Sequence, residues 1–312
     1  MEENKNKLNY LKHLFKKDIH HVFFIINPVV EIIIFLWIKL LDIPNSNIIL
    51  LKLRKNSSGI LKLESTHFKK TILDRLFLKI GFDKNSEKYS NFIKLKNVKF
   101  YLYSSWVHPE FNALLKNKNC LGHFYIEEGQ LAKRKTNFIE NNKLHINHIK
   151  SEIKYAEELN AFHRNDAKYY ISIDPIAFPH INSQKKILID DFTPILDSYK
   201  PSLIGNQFIG IGPAPRRLTK NKLIDILITL AKKMPDNSLI KLHPGFDLRK
   251  SKLNLLKKKI YEKTNKNIQF CNQSILLELE MIFEKKYFYG SQSSLVRYAA
   301  LFGSEYEILD LY

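Results

Sequence analysis

Residues 20–54 read HHVFFIINPVVEIIIFLWIKLLDIPNSNIILLKLR, and this stretch decides the fold class. HHVFFIIN is a continuous apolar run of strand length. PVVEIIIFLWIKLLD begins at Pro28, which fits the first turn of a helix because the missing N–H needs no partner there. NIILLKLR is a second strand-like run. A strand, a helix and a strand in this order predict the opening of an α/β domain.

The same stretch has a second interpretation, because Val22 to Leu41 has nearly the length of a membrane span. Four polar or helix-interrupting residues count against a span: Asn27, Pro28, Glu31 and Lys39. We therefore expect a buried strand followed by a helix, and not a helix that crosses a bilayer.

Further apolar or alternating runs extend this domain and then begin a second one. NVKFYLYS, CLGHFYIEEG and KYYISID read as strands of the first domain, and QFIGIG, SLIKLHPG and YFYGS as strands of the second. Between them, the periodicity is lost and Pro194, Pro201 and Gly205 gather, which is typical of a linker. The predicted organisation is a basic N-terminal segment (1–19), a first domain (20–190), a linker (191–206) and a second domain (207–312).

Composition restricts the class of protein. The 312 residues are 45% hydrophobic and 12% aromatic, which is enough apolar surface for two folded cores and excludes general disorder. Fifty Lys and Arg against 31 Asp and Glu give a net charge of +19, which favours polyanions, anionic membranes or phosphate-bearing ligands. The two cysteines, Cys120 and Cys271, form no CxxC pair, so we expect a reducing compartment. The polar amino terminus predicts no export signal and hence a cytoplasmic protein.

Polar residues at the carboxyl ends of predicted strands are the candidate site residues, because open α/β sheets bind ligands there. The first group is Glu127, Glu128 and Gly129, which follow CLGHFYI. Side chains alternate along a strand, so only one of the two carboxylates is expected to face a ligand. A partly buried carboxylate with a raised pKa can deprotonate a sugar hydroxyl. A solvated strand end is the alternative for these residues.

The second group is Lys241, His243 and Pro244, where IKLHP leaves a strand. Alternation puts Lys241 and His243 on the same face, and Pro244 fixes the turn that follows. A histidine near its intrinsic pKa can donate a proton to a departing phosphate or hold its charge.

The third group is Gly290, Ser291, Ser293 and Ser294, where YFYGSQSS runs into a predicted helix. Hydroxyls and backbone N–H groups at a helix amino terminus favour a phosphate, and a plain helix cap is the alternative. Gly212, in FIGIGPAPRR, allows the backbone to approach a ligand closely. This loop lacks the third glycine of a dinucleotide fingerprint.

Motifs typical of other kinds of active or metal site are absent from the sequence. The sequence contains no phosphate loop of the GxxxxGK[ST] type, no HExxH helix, no GxSxG elbow and no EF-hand loop. His145 and His148 have no further ligands nearby in the sequence, so we interpret them as solvated and not as a metal site.

Taken in order, the acidic pair before glycine, HP and the serine pair resemble the three short motifs of bacterial sialyltransferases, (D/E)(D/E)G, HP and S(S/T). Here they are Glu127-Glu128-Gly129, His243-Pro244 and Ser293-Ser294. Among these enzymes, the lipooligosaccharide and polysialic-acid sialyltransferases have the most similar pattern of motifs. The order of predicted strands and helices matches over roughly Val22 to Leu311. The part of the match that depends on particular residue types is fewer than twenty residues long.

The resemblance implies a GT-B fold of two Rossmann-like domains facing across a cleft, the first binding the acceptor sugar and the second a CMP-activated sugar. It implies an inverting transfer from CMP-sialic acid to a glycan hydroxyl, such as a galactoside of lipooligosaccharide or capsule. The reaction that the resemblance implies requires no metal and no cofactor.

The resemblance also assigns roles by position. Glu127 becomes the base that deprotonates the acceptor, with Glu128 as second choice. His243 contacts or protonates the departing phosphate, and Ser293 and Ser294 hydrogen-bond it. The remaining nucleotide contacts would come from four residues: Lys241 and Pro244 beside cytosine, Glu278 on the ribose (with Glu280 as its competitor), and Gly212 near the nucleotide.

Two alternatives stay open at this point. The motifs address CMP and acid–base chemistry, so another CMP-activated acid sugar, such as Kdo or a bacterial nonulosonate, is equally compatible with them. A net charge of +19 would also suit a nucleic-acid-binding protein. However, the basic residues are spread along the chain, and no known nucleic-acid-binding motif occurs in the sequence.

Basic residues also predict peripheral association with an anionic membrane face that carries the acceptor. Two segments supply them: Lys5, Lys7, Lys12, Lys16 and Lys17 at the amino terminus, and Lys250 to Lys259 in the second domain.

Overall fold

The chain divides into two compact units, Met1–Pro194 and Ile195–Tyr312, and the division lies inside the stretch that the sequence indicates as a linker. The computed structural model describes residues 2–15, 18–52, 60–61, 65–67, 97–106, 109–129, 132, 136–139, 161–213, 219–243, 246 and 250–311. Pro244, His145, His148, Lys16 and Lys17 lie outside the described residues.

The first unit contains a seven-stranded parallel sheet in the order β3-β2-β1-β4-β5-β8-β9, and a separate parallel pair, β6 with β7. Its strands are β1 (His20–Ile25), β2 (Ile48–Lys52), β3 (Ser65–His67), β4 (Phe100–Ser104), β5 (Cys120–Ile126), β6 (Thr136–Ile139), β7 (Ala161–Arg164), β8 (Tyr169–Ser172) and β9 (Lys186–Leu188). Its helices are α1 (Glu2–Leu14), α2 (Pro28–Leu40) and α3 (Pro109–Leu115), with short 3-10 helices at Asn45–Asn47 and Ser183–Lys185.

The stretch that decides the fold forms β1, α2 and β2, as the sequence predicts. Asn27 caps α2, because its Oδ1 accepts a hydrogen bond from the Val30 backbone N–H at 2.9 Å, and Pro28 occupies the first helical position. α2 is buried along nearly its whole length because it covers the sheet. Its apolar character therefore comes from packing in a core. In the part of the chain that the structure describes, no helix is long and apolar enough to cross a bilayer.

α1 covers the outer edge of β9, which is an arrangement the sequence analysis did not predict. The Asn4 side-chain amide donates to the Leu188 carbonyl at 2.6 Å, and its oxygen accepts from the Leu188 N–H at 3.1 Å. Leu11 and Phe15 are buried beneath the helix. An asparagine side chain thus takes the place of a further strand at this edge and satisfies backbone groups that would otherwise be exposed.

The second unit contains a five-stranded parallel sheet in the order β12-β11-β10-β13-β14. The strands are β10 (Phe208–Ile211), β11 (Leu239–Lys241), β12 (Gln269–Phe270), β13 (Tyr287–Gly290) and β14 (Glu305–Ile308). α4 (Thr193–Ser198) spans the boundary between the units, and α5 (Lys220–Lys233), α6 (Lys250–Thr264), α7 (Leu277–Phe283) and α8 (Leu295–Leu301) follow. The core of the second unit contains Ile240 of β11, which packs with Leu227, Leu230 and Met234.

The two main sheets share one strand order. Numbered along the chain, the first five strands of each sheet lie in the order third, second, first, fourth, fifth. This is the order of the Rossmann fold, in which ligands bind at the carboxyl ends of the strands where the order reverses. The reversal lies between β1 and β4 in the first unit and between β10 and β13 in the second.

Candidate functional site

Three groups of predicted site residues in the second unit follow adjacent strands of one parallel sheet. Gly212 follows the central strand β10, His243 follows β11 on one side, and Ser293 and Ser294 follow β13 on the other. Because all these strands are parallel, their carboxyl ends lie at the same edge of the sheet. The fold therefore gathers residues that are up to 82 positions apart in the sequence at the place where such sheets bind ligands.

Gly212 lies where the end of β10 closely approaches the end of β11, which leaves little room for a side chain. Its backbone N–H donates to the Lys241 carbonyl at 2.8 Å. A Cβ atom at Gly212 would lie 3.1 Å from Leu242 Cδ2 and 3.3 Å from Leu242 Cα. Glycine is thus explained here by packing against β11, and its predicted place near a nucleotide stays a prediction.

His243 is exposed, and its carbonyl accepts a hydrogen bond from the Phe246 N–H at 2.9 Å. This bond holds the backbone of His243 directly after β11, at the sheet edge. An exposed imidazole in this position is accessible to a ligand and can donate or accept a hydrogen bond.

The serine pair forms the loop between β13 and α8. Ser293 Oγ accepts a hydrogen bond from the Leu295 N–H at 3.2 Å, whereas Ser294, the cap residue of α8, makes no capping bond with its side chain. Both serines are half-buried. The Tyr306 hydroxyl donates to the Ser291 carbonyl at 2.8 Å, and burial raises the pKa of Tyr306. The neighbouring strand β14 thereby fixes the loop.

Lys241 has a structural role that the sequence analysis did not predict. Its ammonium group donates to the carbonyls of Gln273 at 3.1 Å and Asn272 at 3.4 Å, and also to that of Ile275. Burial lowers its pKa. The lysine therefore organises the loop that leads into α7, and its predicted contact with cytosine stays a prediction.

Glu278 and Glu280, the two candidates for ribose binding, lie in different environments. Glu280 is 1% exposed and accepts hydrogen bonds from the backbone N–H groups of Ser202 (2.9 Å) and Leu203 (2.8 Å) and from the Tyr199 hydroxyl (2.7 Å). Glu280 thus anchors the segment that leads into β10.

Glu278 is half-buried in the first turn of α7, and none of the other residues that the structure describes anchors it in this way. Burial raises its pKa, and the charge of Lys241 partly opposes this shift. A carboxylate whose charged form is not stabilised by folding is more typical of a functional site than of a structural one. Glu278 is therefore the stronger candidate of the two.

The two neighbouring glutamates of the first unit, Glu127 and Glu128, also lie in different environments. Glu127 is 0% exposed, and its Oε2 accepts from the backbone N–H groups of Ile173 at 3.0 Å and Asp174 at 3.1 Å. It joins the end of β5 to the end of β8. This carboxylate is buried and held by backbone donors, and its predicted role as base stays a prediction.

Glu128 is half-buried, and its Oε1 accepts a hydrogen bond from the Asn27 side-chain amide at 3.3 Å. Asn27 follows β1 and Glu128 follows β5, so this bond extends over the end of β4 at the reversal of strand order. Gly129 has a φ of 51°, a conformation that favours glycine, and it turns the chain immediately after the pair. Of the two glutamates, Glu128 is the less buried.

Comparisons with known proteins bear on the architecture. No protein-family model and no curated protein matches this sequence. Among solved structures, a candidate UDP-N-acetylglucosamine 2-epimerase from Listeria monocytogenes is similar over 94% of this chain and 79% of its own, with a TM-score of 0.52 and 8% identity. The chain has a GT-B fold.

Two further solved structures align at lower scores. They are MurG of Acinetobacter baumannii, with 12% identity, a TM-score of 0.40 and coverage of 89% of this chain and 73% of its own, and a sialyltransferase from Photobacterium damsela, with 10% identity, a TM-score of 0.43 and coverage of 88% and 71%. At these identities the likeness describes the architecture alone.

Asn27 is a site residue that the sequence analysis treated only as evidence against a membrane span. Its two roles, capping α2 through Oδ1 and binding Glu128 through Nδ2, follow from its position between a buried strand and Pro28. An asparagine between an apolar strand and an N-terminal proline was the available signal for the first role. The second role depends on a contact across 101 residues, which no local pattern shows.

Proposed function

We propose that this protein is an inverting, metal-independent glycosyltransferase that moves sialic acid from CMP-sialic acid to a hydroxyl of a glycan acceptor. The observation that carries the proposal is the position of His243, Ser293 and Ser294 after the two strands that flank β10, at one edge of the second sheet. In sequence order these residues, with the acidic pair of the first unit, match the three sialyltransferase motifs. The GT-B fold agrees with this assignment.

The second unit supplies the groups for the donor. An exposed imidazole at His243 can protonate the departing phosphate of CMP or compensate its charge. The Ser294 hydroxyl and the Ser293 loop offer hydrogen bonds to the same phosphate, where negative charge develops as the glycosidic bond breaks. Glu278 then binds the ribose hydroxyls, because a carboxylate accepts two hydrogen bonds from a vicinal diol.

The first unit supplies the base. We assign Glu128 to this role in place of Glu127, because Glu127 already accepts two backbone hydrogen bonds in a fully buried position. The Asn27 side-chain amide donates to Glu128 Oε1 at 3.3 Å and orients the carboxylate that takes the proton of the acceptor hydroxyl. The acceptor oxygen attacks the anomeric carbon as its proton passes to Glu128, the bond to CMP breaks, and the configuration inverts.

The acceptor is proposed to be a galactoside of lipooligosaccharide or capsule. The residues named above address CMP and the transferred proton, so the same chemistry serves another CMP-activated acid sugar. Such a donor is the alternative within the proposal.

The test is a panel of activated sugars: CMP-sialic acid, CMP-Kdo, and UDP-N-acetylglucosamine as the mismatched nucleotide. The proposal predicts CMP release that depends on a galactoside acceptor and is abolished in the His243→Ala variant. Release from CMP-Kdo alone would move the assignment to the alternative donor. Turnover of the UDP-sugar, or of none of the three, would refute it.

A further inference from the structure

α6 presents a strongly basic outer face in the second unit. The helix reads KSKLNLLKKKIYEKT and contains six lysines and one glutamate. It begins at Lys250, seven residues after His243, so its amino-terminal end leaves the sheet at the edge that carries the candidate site. The sequence analysis already predicts that Lys250 to Lys259 associate with an anionic membrane face.

The two sides of α6 have different surroundings. Leu256 and Ile260 are buried and Leu253 packs against the same core, so this side fixes the helix on the domain. On the opposite side, Leu255 is 45% exposed and Tyr261 is 50% exposed. Lys252, Lys258 and Lys263 of the same helix are also exposed, as is Glu262.

The positive charge continues beyond the end of the helix. Lys266 donates to the backbone carbonyls of Lys232, at 2.8 Å, and of Met234, which brings the end of α5 against the end of α6. Lys232 and Lys233 are exposed there. The basic surface therefore extends over two neighbouring helices and is not limited to one segment of the sequence.

We propose that the outer face of α6 is a docking surface for an anionic lipid membrane. Leucine and tyrosine side chains enter the boundary between headgroups and acyl chains, while lysines extend their ammonium groups to lipid phosphates. The charge is complementary, since each lysine near an anionic leaflet attracts it independently of specific geometry. A nucleic acid would use the lysines and stack on Tyr261 but would have no use for the exposed Leu255.

The amino-terminal helix, the other basic segment of the sequence, is less suited to this role. Lys7 forms an ion pair with Glu3 at 2.7 Å and donates to the carbonyl of Ser183 at 3.0 Å, and Lys12 pairs with Asp42. α1 contains three lysines against two glutamates. Its lysines are largely engaged within the protein, whereas for the exposed lysines of α6 the described residues show one ion pair, Lys258 with Glu262 at 3.9 Å.

The first experiment compares two variants with equal net charge. One carries Lys252→Gln, Lys258→Gln and Lys263→Gln, and the control carries Lys5→Gln, Lys118→Gln and Lys285→Gln, three exposed lysines in other parts of the chain. Sedimentation with vesicles of phosphatidylglycerol and phosphatidylcholine in equal parts, at low salt, measures binding. We expect the α6 variant to lose binding by on the order of 100-fold and the control by about threefold or less. Equal losses in both variants would overturn the proposal.

The second experiment locates the contact. Tyr261→Trp and the matched control Tyr10→Trp, at a 61% exposed position of α1, place a reporter on each basic helix. Brominated phospholipid is expected to quench the added fluorescence at position 261 and not at position 10. The reverse pattern, or quenching at neither position, contradicts the proposal.

Two further measurements separate this inference from the proposed function. The α6 variant should release CMP at the wild-type rate with a soluble acceptor, if the wild type is active at all. Binding to a single-stranded oligonucleotide that exceeds vesicle binding, and that falls in the α6 variant, would assign the surface to nucleic acid and refute the lipid assignment.

Discussion

The acidic pair at the end of β5, Glu127 and Glu128, and the pair at the start of α7, Glu278 and Glu280, divide in the same way. In each pair one carboxylate is buried and accepts hydrogen bonds from backbone N–H groups, namely Glu127 and Glu280. The other carboxylate, Glu128 or Glu278, is half-buried. The comparison teaches that two neighbouring acids seldom share a role: one stabilises the fold, and its neighbour is the candidate for chemistry.

The largest expected effect is on folding, from Glu280→Ala. This change removes the acceptor of one hydroxyl and two backbone N–H groups in a buried position, so we expect a loss of about 4 kcal/mol in the free energy of unfolding of the second unit. Both tryptophans, Trp37 and Trp106, belong to the first unit. Urea unfolding should therefore show the loss by circular dichroism while the tryptophan-monitored transition stays in place. A loss below about 1 kcal/mol would show that Glu280 is not an anchor.

Glu127→Ala should destabilise the first unit by about 3 kcal/mol, because the N–H groups of Ile173 and Asp174 lose their shared acceptor. Here the tryptophan-monitored transition should shift in urea. The matched control is Glu128→Ala, which leaves those donors paired and should change the same transition by less than about 1 kcal/mol. If the two variants unfold alike, the division within this pair is wrong.

Glu128→Gln tests the other half of the division. We expect turnover to fall at least ~100-fold, equivalent to about 2.7 kcal/mol, because glutamine cannot accept the proton of the attacking hydroxyl. CMP binding, measured by calorimetry, should be nearly unchanged. Full turnover in this variant would remove Glu128 from the role of base.

Glu278→Gln has the smallest expected effect and the most specific one. CMP affinity should fall by about tenfold, since a hydrogen bond from the ribose to a charged acceptor is lost. Folding should become more favourable at neutral pH. Burial raises the pKa of Glu278 in the folded protein, so ionisation above that pKa reduces stability, and glutamine removes this cost.

The sign of this stability difference can be checked by its pH dependence. As pH falls below the ordinary glutamate pKa of 4.5, Glu278 is protonated in both the folded and unfolded states, so the advantage of the glutamine variant should disappear. Urea unfolding of both proteins at neutral and acid pH measures it. A variant that is less stable at neutral pH would place Glu278 with Glu280 among the anchors.

The sequence predicts the sheets well because buried parallel strands are continuous apolar runs. β1, α2, β4, β5, β10 and β13 all follow such runs. The edge strand β9 was not predicted, because only three residues pair there and the run KIL has no distinctive pattern. α1 and α6 are so rich in polar residues that their apolar positions, such as Leu11 and Ile260, are too few to stand out.

The site is predictable to the level of motifs but not of individual side chains. Alternation along β5 predicts that only one of the two glutamates faces a ligand, but it does not show that Glu127 accepts a hydrogen bond from the N–H group of Ile173, 46 positions away. The same holds for Lys241, whose partners begin at Asn272 on another loop. Residue type and spacing therefore identify a candidate group, and long-range backbone donors and acceptors decide which member has a structural role.

The contact between Asn4 and Leu188 has a consequence for the order of folding during synthesis. Its two residues are 184 positions apart, so the first helix leaves the ribosome long before the strand it covers has been made. At 5–20 residues per second this interval is roughly 10 to 40 s, during which Asn4 lacks its final hydrogen-bond partner. Until then α1 lacks the strand edge that it covers, and a chaperone can bind it before the domain is complete.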